Sequence, residues 1–304
     1  LLREFLSTAI CTAMAVEAVV CRKRITHAFL SHGIYSTWGV ATDVLVALGV
    51  QVSVWGRGYV GGDLLLGRNQ SYLQEAVNET ANDVKHFLAP YSIDEPFLDS
   101  YFAAKAQPGS KVDVESYYDA RPFFVANEVA QLRQGYSGLV SIFPNIPWDG
   151  TMFAASPYTP SLRTFAQKVV QIAGQFPQIR FVVRCHPAER HRMGNDSRET
   201  FSSFFSDEDR AIPNLIILDA ESHISSYDLL PVTDAALVFG TTMGLELAFR
   251  ALPVIQTGQF HLSNKDAVFE VSSDEELTAL MWQLEAGQLA VPPEMRENIR
   301  RYAF

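Results

Sequence analysis

Two short stretches of the sequence hold residues whose types and spacing suit the binding of an anion. In VFGTTMGLELA an apolar run ending at Phe239 meets the helical pattern LELAFRA through Gly240, Thr241, Thr242 and Gly244. A strand giving way to a helix there aims backbone N–H groups and both Thr hydroxyls outward at a helix start, an arrangement that favours phosphate. Gly240 and Gly244 allow the backbone to come close to such an anion, and the absence of a Lys after the Thr pair excludes an ordinary P-loop. Glu246, one turn into the helix, would be repelled by the phosphate itself but suits the hydroxyls of a nucleotide's ribose. The same residues also read as a plain helix cap.

The second stretch is FVVRCHPAE, a strand that ends on Arg184, His186 and Pro187. Pro187 forces the chain to turn and fixes His186 at the sheet's carboxyl edge. A His in that place is commonly a satisfied structural residue. With Arg184, Arg190, His191 and Arg192 close in sequence, a local positive pocket in an acidic protein explains the cluster better. Earlier in the chain, His32 beside Gly33 could act as general base toward a hydroxyl, since an imidazole titrates near neutral pH. Asp149 in FPNIPWDG is its rival, as base or as nucleophile. Each has a structural alternative, His32 bonded to the following YST turn and Asp149 capping its loop. Asn145 of the same FPNIPWDG loop joins the donor-binding set, and Arg57, in the Gly-rich WGRGYVGG, is placed on the acceptor side.

The elements needed to position these loops are legible as alternating strands and helices. ITHAFLSHG, TDVLVALG and VQVSVWG read as strand, helix and strand, hence a parallel unit, with Gly49 closing the helix. Residues 63–136 are less regular, with AQPGS as a turn and VESYYDARPFFVANEVAQLRQ as a linking helix. The pattern restarts at GLVSIF. Helix SLRTFAQKVVQIAGQFP, strand IRFVVR, strand NLIILDA, helix SSYDLLPV, strand AALVFG, helix LELAFRA, strand PVIQTG and helix SDEELTALMWQLEAG follow, with Ser273 and Glu276 forming a capping box. The reading is α/β, with domains at 1–136 and 137–304 whose strand ends face a cleft.

At 304 residues, 48% hydrophobic and 19% charged, the chain suits two well-buried domains and not a disordered one. A net charge of −10 argues against a protein that coats nucleic acid or an anionic membrane, yet leaves room for a local positive spot. Three cysteines without CxxC spacing indicate neither a disulfide framework nor a zinc site, and they fit a reducing cytoplasm. The N-terminal FLSTAICTAMAVEAVVC, with Glu17 inside it, reads as a buried helix, too short and too charged for a membrane span. A chain that opens on this helix and not on a strand starts partway into a longer polypeptide, so the first domain is expected to be incomplete.

Taken together, FPNIPWDG, RCHPAE, ISSYDLL and TTMGLELAFRALPVIQTG, in this order, resemble the bacterial capsule polysaccharide biosynthesis proteins, the family that includes the β-Kdo glycosyltransferases of capsule and O-antigen assembly. The resemblance covers nearly all of residues 27–285. It implies a GT-B fold of two Rossmann-like domains, the second holding a nucleotide-sugar such as CMP-Kdo. It further implies a metal-independent transfer, no cofactor, and a glycan or glycolipid acceptor. The family's His-Pro maps onto His186 and Pro187, its Ser/Thr-rich turn onto Thr241 and Thr242, and its Glu onto Glu246. A cytoplasmic enzyme follows, peripheral at the inner membrane or in a capsule assembly complex. One departure concerns FHLSNKDAVF, where the family has Tyr and a Gly-Lys-Gly-Phe-like run; His261 and Lys265 are the residues available to substitute. The triplet Asp207-Glu208-Asp209 looks like the metal-binding DxD of another transferase class but reads as a solvated surface turn. A CDP-glycerol-type polyol-phosphate transferase and a non-catalytic docking module are the competing readings.

Overall fold

The computed structural model describes residues 2–58, 64–107, 125–148, 154–189 and 199–303. The chain forms two compact units, Leu1–Thr80 and Ala81–Phe304. The smaller contains α1 (Leu2–Arg22), β1 (His27–Ser31), a single π-helical turn (Tyr35–Gly39), α2 (Val40–Ala47), β2 (Gln51–Arg57), β3 (Leu64–Arg68) and α3 (Tyr72–Asn78). Its sheet has the order β1-β2-β3, with β1 and β2 parallel and β3 antiparallel. The parallel pair follows the sequence expectation; the antiparallel third strand makes the sheet mixed. One face of β2 supplies Val52 and Val54, which form a small core with Leu45 and Val50.

Helix α1 departs from expectation. None of its residues is buried, and only Val16 and Val20 pack against that small core. Four buried side chains cannot cover a helix of 21 residues whose Phe5, Leu6, Ile10 and Met14 are all more than half exposed. By length and composition alone, with a hydropathy of 1.6, it is also long and apolar enough to cross a membrane.

The larger unit contains α4 (Ala81–Leu88), α5 (Glu95–Lys105), α6 (Ala126–Arg133), β4 (Gly138–Phe143), α7 (Leu162–Gln175), β5 (Ile179–Arg184), α8 (Asp207–Arg210), β6 (Leu215–Leu218), β7 (Ala235–Val238), α9 (Met243–Phe249), β8 (Val254–Gln256), β9 (Phe269–Glu270), α10 (Asp274–Glu285) and α11 (Pro293–Ala303). Its sheet is parallel throughout, with six strands in the order β6-β5-β4-β7-β8-β9. Strands buried on both faces need continuous apolar runs, and GLVSIF is buried along its whole length. Helix α7 lays Leu162, Phe165, Ala166, Val169, Ile172 and Ala173 against this sheet at helical spacing.

Packing sets the unit boundary earlier than residue 136. Phe102 of α5 stacks on Phe249 at 4.2 Å, and Arg250 donates to the Phe102 carbonyl at 2.6 Å, so α5 belongs to the larger unit. SSYDLLPV does not form the expected α-helix. Ser225 and Asp228 make reciprocal bonds that would start one, but Pro231 stops it, and only a 3-10 turn at Leu230–Val232 results. The capping box at α10 is shifted as well. Ser273 accepts from the Glu276 N–H at 3.2 Å, whereas the Glu276 carboxylate reaches past Ser273 to the Ser272 N–H at 2.7 Å.

Candidate functional site

In the larger sheet the chain moves outward from β4 through β5 to β6, then returns to place β7 on the other side of β4. A crevice opens at the carboxyl ends of strands where the direction of winding reverses, and open α/β sheets bind ligands there. Ile142 pairs with Val183 and Phe143 with Val238. The loops after β5, β4 and β7 therefore leave three adjacent strands at nearly the same level, bringing His186, Asn145 and Thr241 to one edge.

The Asn145 carboxamide marks this edge, because its Oδ1 is buried without a hydrogen-bond partner. Buried polar atoms are nearly always paired, so such an exception calls for an explanation. On the next strand, Pro187 starts a 3-10 turn that runs to Glu189. The turn brings the Ala188 N–H to 3.1 Å from His186 Nδ1. An imidazole that accepts at Nδ1 carries its proton on Nε2, so His186 presents a donor suited to an anion.

Arg184 is different from expectation. It is 2% exposed, and its guanidinium donates to four carbonyls, those of Ile224 at 2.7 Å, Asp219 at 2.9 Å, Ser222 at 3.4 Å and Cys185. Those bonds clamp the chain that follows β6. They account for the guanidinium without any ligand. Arg190, His191 and Arg192 lie outside the described residues.

At the β7–α9 junction packing requires the glycine at Gly240 but not at Gly244. A Cβ on Gly240 would sit 2.7 Å from the Ala154 Cβ and 3.2 Å from that of Phe260, and one on Gly244 would make ordinary contacts with Leu262 and Val238. The amides are also partly committed. Met243 N–H reaches Thr241 Oγ1 at 3.4 Å, Gly244 N–H the Thr241 carbonyl at 3.0 Å, and Leu245 N–H the Thr242 carbonyl at 3.1 Å. What this junction offers a ligand comes mainly from Thr242, which is exposed and makes no side-chain cap, and from the half-buried Thr241.

Glu246 is 4% exposed. Its Oε2 accepts from the Tyr227 hydroxyl at 2.8 Å, and its Oε1 lies 3.3 Å from Lys105 Nζ. Arg250 donates to the Glu246 carbonyl at 2.7 Å. Both carboxylate oxygens thus already have protein donors, and a ribose would have to share them. Tyr227 and Lys105 were not singled out from sequence. Tyr227 stands in ISSYDLL, a segment that carried the family resemblance; Lys105 comes from distant α5 and left no local signal.

Glu189 was also passed over. It is 1% exposed, its Oε2 accepts from the Phe201 N–H at 3.1 Å, and its Oε1 is unpartnered. Burial raises its carboxyl to about 7, outweighing the Phe201 bond and the Arg184 charge. His261 and Lys265, expected as substitutes near the donor, are 0% and 1% exposed. His261 stacks on Tyr302 of α11 at 5.7 Å, and Lys265 donates to the Ser263 carbonyl at 3.2 Å, so both face the interior. Burial and the neighbouring lysines hold the His261 pKa well below its usual value. Asp207, Glu208 and Asp209 form the first turn of α8, the first two exposed and the third half-buried, and Asp209 makes a capping box with Ser206. Among the described residues no cluster of His, Cys, Asp or Glu is placed to hold a metal ion.

In the smaller unit His32 stands at the carboxyl end of β1 with φ of 62°, and its imidazole lies 6.1 Å from the rings of both Trp55 and Tyr72. Arg57 ends β2 and is exposed. Asp149, the rival to His32, lies outside the described residues.

No protein-family model and no curated protein sequence matches the chain. The solved structures define its class: the protein has a GT-B-like α/β fold. It is similar to the KpsC β-Kdo 2,4 transferase of Thermosulfurimonas dismutans, with 12% identity and a TM-score of 0.52 over 91% of this chain and 78% of that one. The β-Kdo 2,7 transferase of KpsC from the same organism matches with 12% identity and a TM-score of 0.47 over 94% and 78% of the two chains. UDP-GlcNAc 2-epimerase from Neisseria meningitidis, bound to UDP-GlcNAc, matches with 10% identity and a TM-score of 0.43 over 96% and 78%.

Proposed function

We propose that the protein is a glycosyltransferase that moves a sugar from a nucleotide-sugar to a cell-surface glycan or its lipid-linked primer, with Kdo from CMP-Kdo as the donor. The observation that carries this reading is the convergence of Asn145, His186, Thr241 and Thr242 at the reversal point of a parallel sheet in a GT-B-like fold. There His186 Nε2–H and the Thr hydroxyls serve as donors to the leaving phosphate, whose charge grows as the glycosidic bond breaks. Such donors allow the reaction to proceed without a metal. Pro187 and Gly244 shape the two turns, and Glu246 acts on the nucleotide through Tyr227 and Lys105. Arg57 and His32 belong to the acceptor side, with His32 or Asp149 removing the acceptor's proton. The enzyme works in the cytoplasm at the inner face of the membrane, where a lipid-linked acceptor is available.

A non-catalytic module is the second reading, favoured by one observation: Arg184 and Glu246 are already satisfied within the protein. Thermal unfolding in CMP, CDP, UDP and GDP separates the two. A ligand that binds only the folded state raises the midpoint. The transferase reading expects CMP to raise it and His186→Ala to abolish the rise. A larger response to CDP would favour a polyol-phosphate transferase, and no response to any nucleotide would favour the module.

A further inference from the structure

Helix α1 rests against α2 and the π-helical turn. Its least exposed side chains, Ala9, Thr12, Ala13, Val16 and Val20, are only half-buried, and of these Val16 and Val20 reach the small core. Residues four apart form one row along a helix. Leu2, Leu6, Ile10 and Met14 make such a row, and all four are more than half exposed, with Phe5 beside them. A continuous apolar surface left in water forgoes the burial that stabilises a folded chain and marks a place of contact. Arg22, Lys23 and Arg24 follow at the end of the helix, each of them exposed. Along residues 3–24, Arg3, Arg22, Lys23 and Arg24 outnumber Glu4 and Glu17, in a chain whose net charge is −10. Glu4 adjoins Arg3, and Glu17 stands little more than one turn before Arg22, so both acids lie near the cationic ends. The π-helical turn exposes Tyr35 and Trp38, side chains favoured where hydrocarbon meets headgroups.

We propose that α1 docks on an anionic lipid bilayer, with Leu2, Leu6, Ile10 and Met14 among the acyl chains and Arg22, Lys23 and Arg24 on the headgroups. An apolar row bordered by cations matches a surface that is itself hydrocarbon bordered by negative charge. A second copy matches it less well, because in a symmetric pair the net-positive α1 segments would meet each other. A helix bonds its own backbone groups, so its row can enter lipid without stranding N–H or C=O groups. The 21 residues are long enough to cross a bilayer, but the contact with α2 holds the helix along the protein, so it lies in the plane of the interface. Docking needs neither donor nor acceptor, and it holds or fails separately from the transferase reading.

Flotation of the full chain with phosphatidylcholine vesicles, with and without phosphatidylglycerol, tests the docking. The chain should float with the mixed vesicles, less so as salt is raised. Ile10→Asp combined with Met14→Asp should lower the partition at least roughly tenfold, since each places a charge where acyl chains would lie. Both positions are exposed, so the thermal midpoint of that variant should stay unchanged. Replacing Arg22, Lys23 and Arg24 together with Gln leaves the apolar row intact and should abolish the preference for the mixed vesicles. No flotation with the mixed vesicles, or flotation that the double Asp variant retains in full, overturns the proposal. Equal binding of the unaltered chain to both kinds of vesicle overturns the role of the three cations. A dimer in solution that the double Asp variant splits, seen by light scattering, also overturns the proposal, because a second copy then covers the row.

Discussion

Glu246 holds its carboxylate inside the larger unit with Tyr227 on one oxygen and Lys105 on the other. Removing one partner of a buried ion pair leaves an uncompensated charge, so Lys105→Met should cost about 3–5 kcal/mol, and Tyr227→Phe about 1–3 kcal/mol. Urea midpoints of the two variants check both values; equal, negligible losses would mean that Glu246 is solvated. Gly240→Ala should cost about 1–3 kcal/mol, since its Cβ would lie 2.7 Å from that of Ala154 and something must shift. Two buried groups give opposing pH dependences. Glu189 titrates near 7 when folded, against an ordinary 4.5, so the folded state holds a proton that the unfolded chain releases, and stability falls as pH rises through that window. His261 is depressed below its usual 6.5, so its contribution is present above that pH and is lost as pH falls. Replacing Glu189 with Gln should therefore favour the variant progressively from pH 5 to pH 7, by roughly 2 kcal/mol relative to the unaltered protein. A constant difference between the two urea curves would show that Glu189 is ionised throughout.

Secondary elements differ in how much of themselves they display in sequence. Strands β4, β5 and β7 were legible because burial on both faces demands mostly apolar runs, as in the LV, FVV and AALV of the three strands. Helix α7 was legible through its apolar period. Strand β3 was not: LLLGR does not alternate and carries a glycine, and its identity comes from antiparallel pairing with β2. SSYDLLPV misled because a good helix start was followed by a proline. For the site, the same logic applies. His186, Asn145 and Thr241 were readable because each lies just past a strand end, a position that topology alone brings together. Lys105 was hidden because its neighbour Glu246 is remote in sequence, and Arg184 misled because a cation beside a His-Pro turn does not reveal that carbonyls surround it. Ser273 at α10 offers a test at this scale. Ser273→Ala removes a bond to the Glu276 N–H and should cost about 1 kcal/mol; an unchanged thermal midpoint would mean that Glu276 and Ser272 suffice.

For the molecule as a whole, the larger unit carries a six-stranded doubly wound sheet, while the smaller carries a three-stranded one beneath a largely exposed α1. The anion-binding reading therefore rests on the larger unit, and the proton-transfer reading on the smaller. The proposed transfer depends on recognition of a nucleotide's phosphate by the edge formed by Asn145, His186, Thr241 and Thr242. Isothermal titration of the unaltered protein and of His186→Ala with CMP and with cytidine tests it most directly. CMP is expected to bind the unaltered protein at least about tenfold more tightly than cytidine, a difference of roughly 1.4 kcal/mol, and the His186→Ala variant to lose this preference. Equal affinity for CMP and cytidine, or an undiminished preference in His186→Ala, would contradict it.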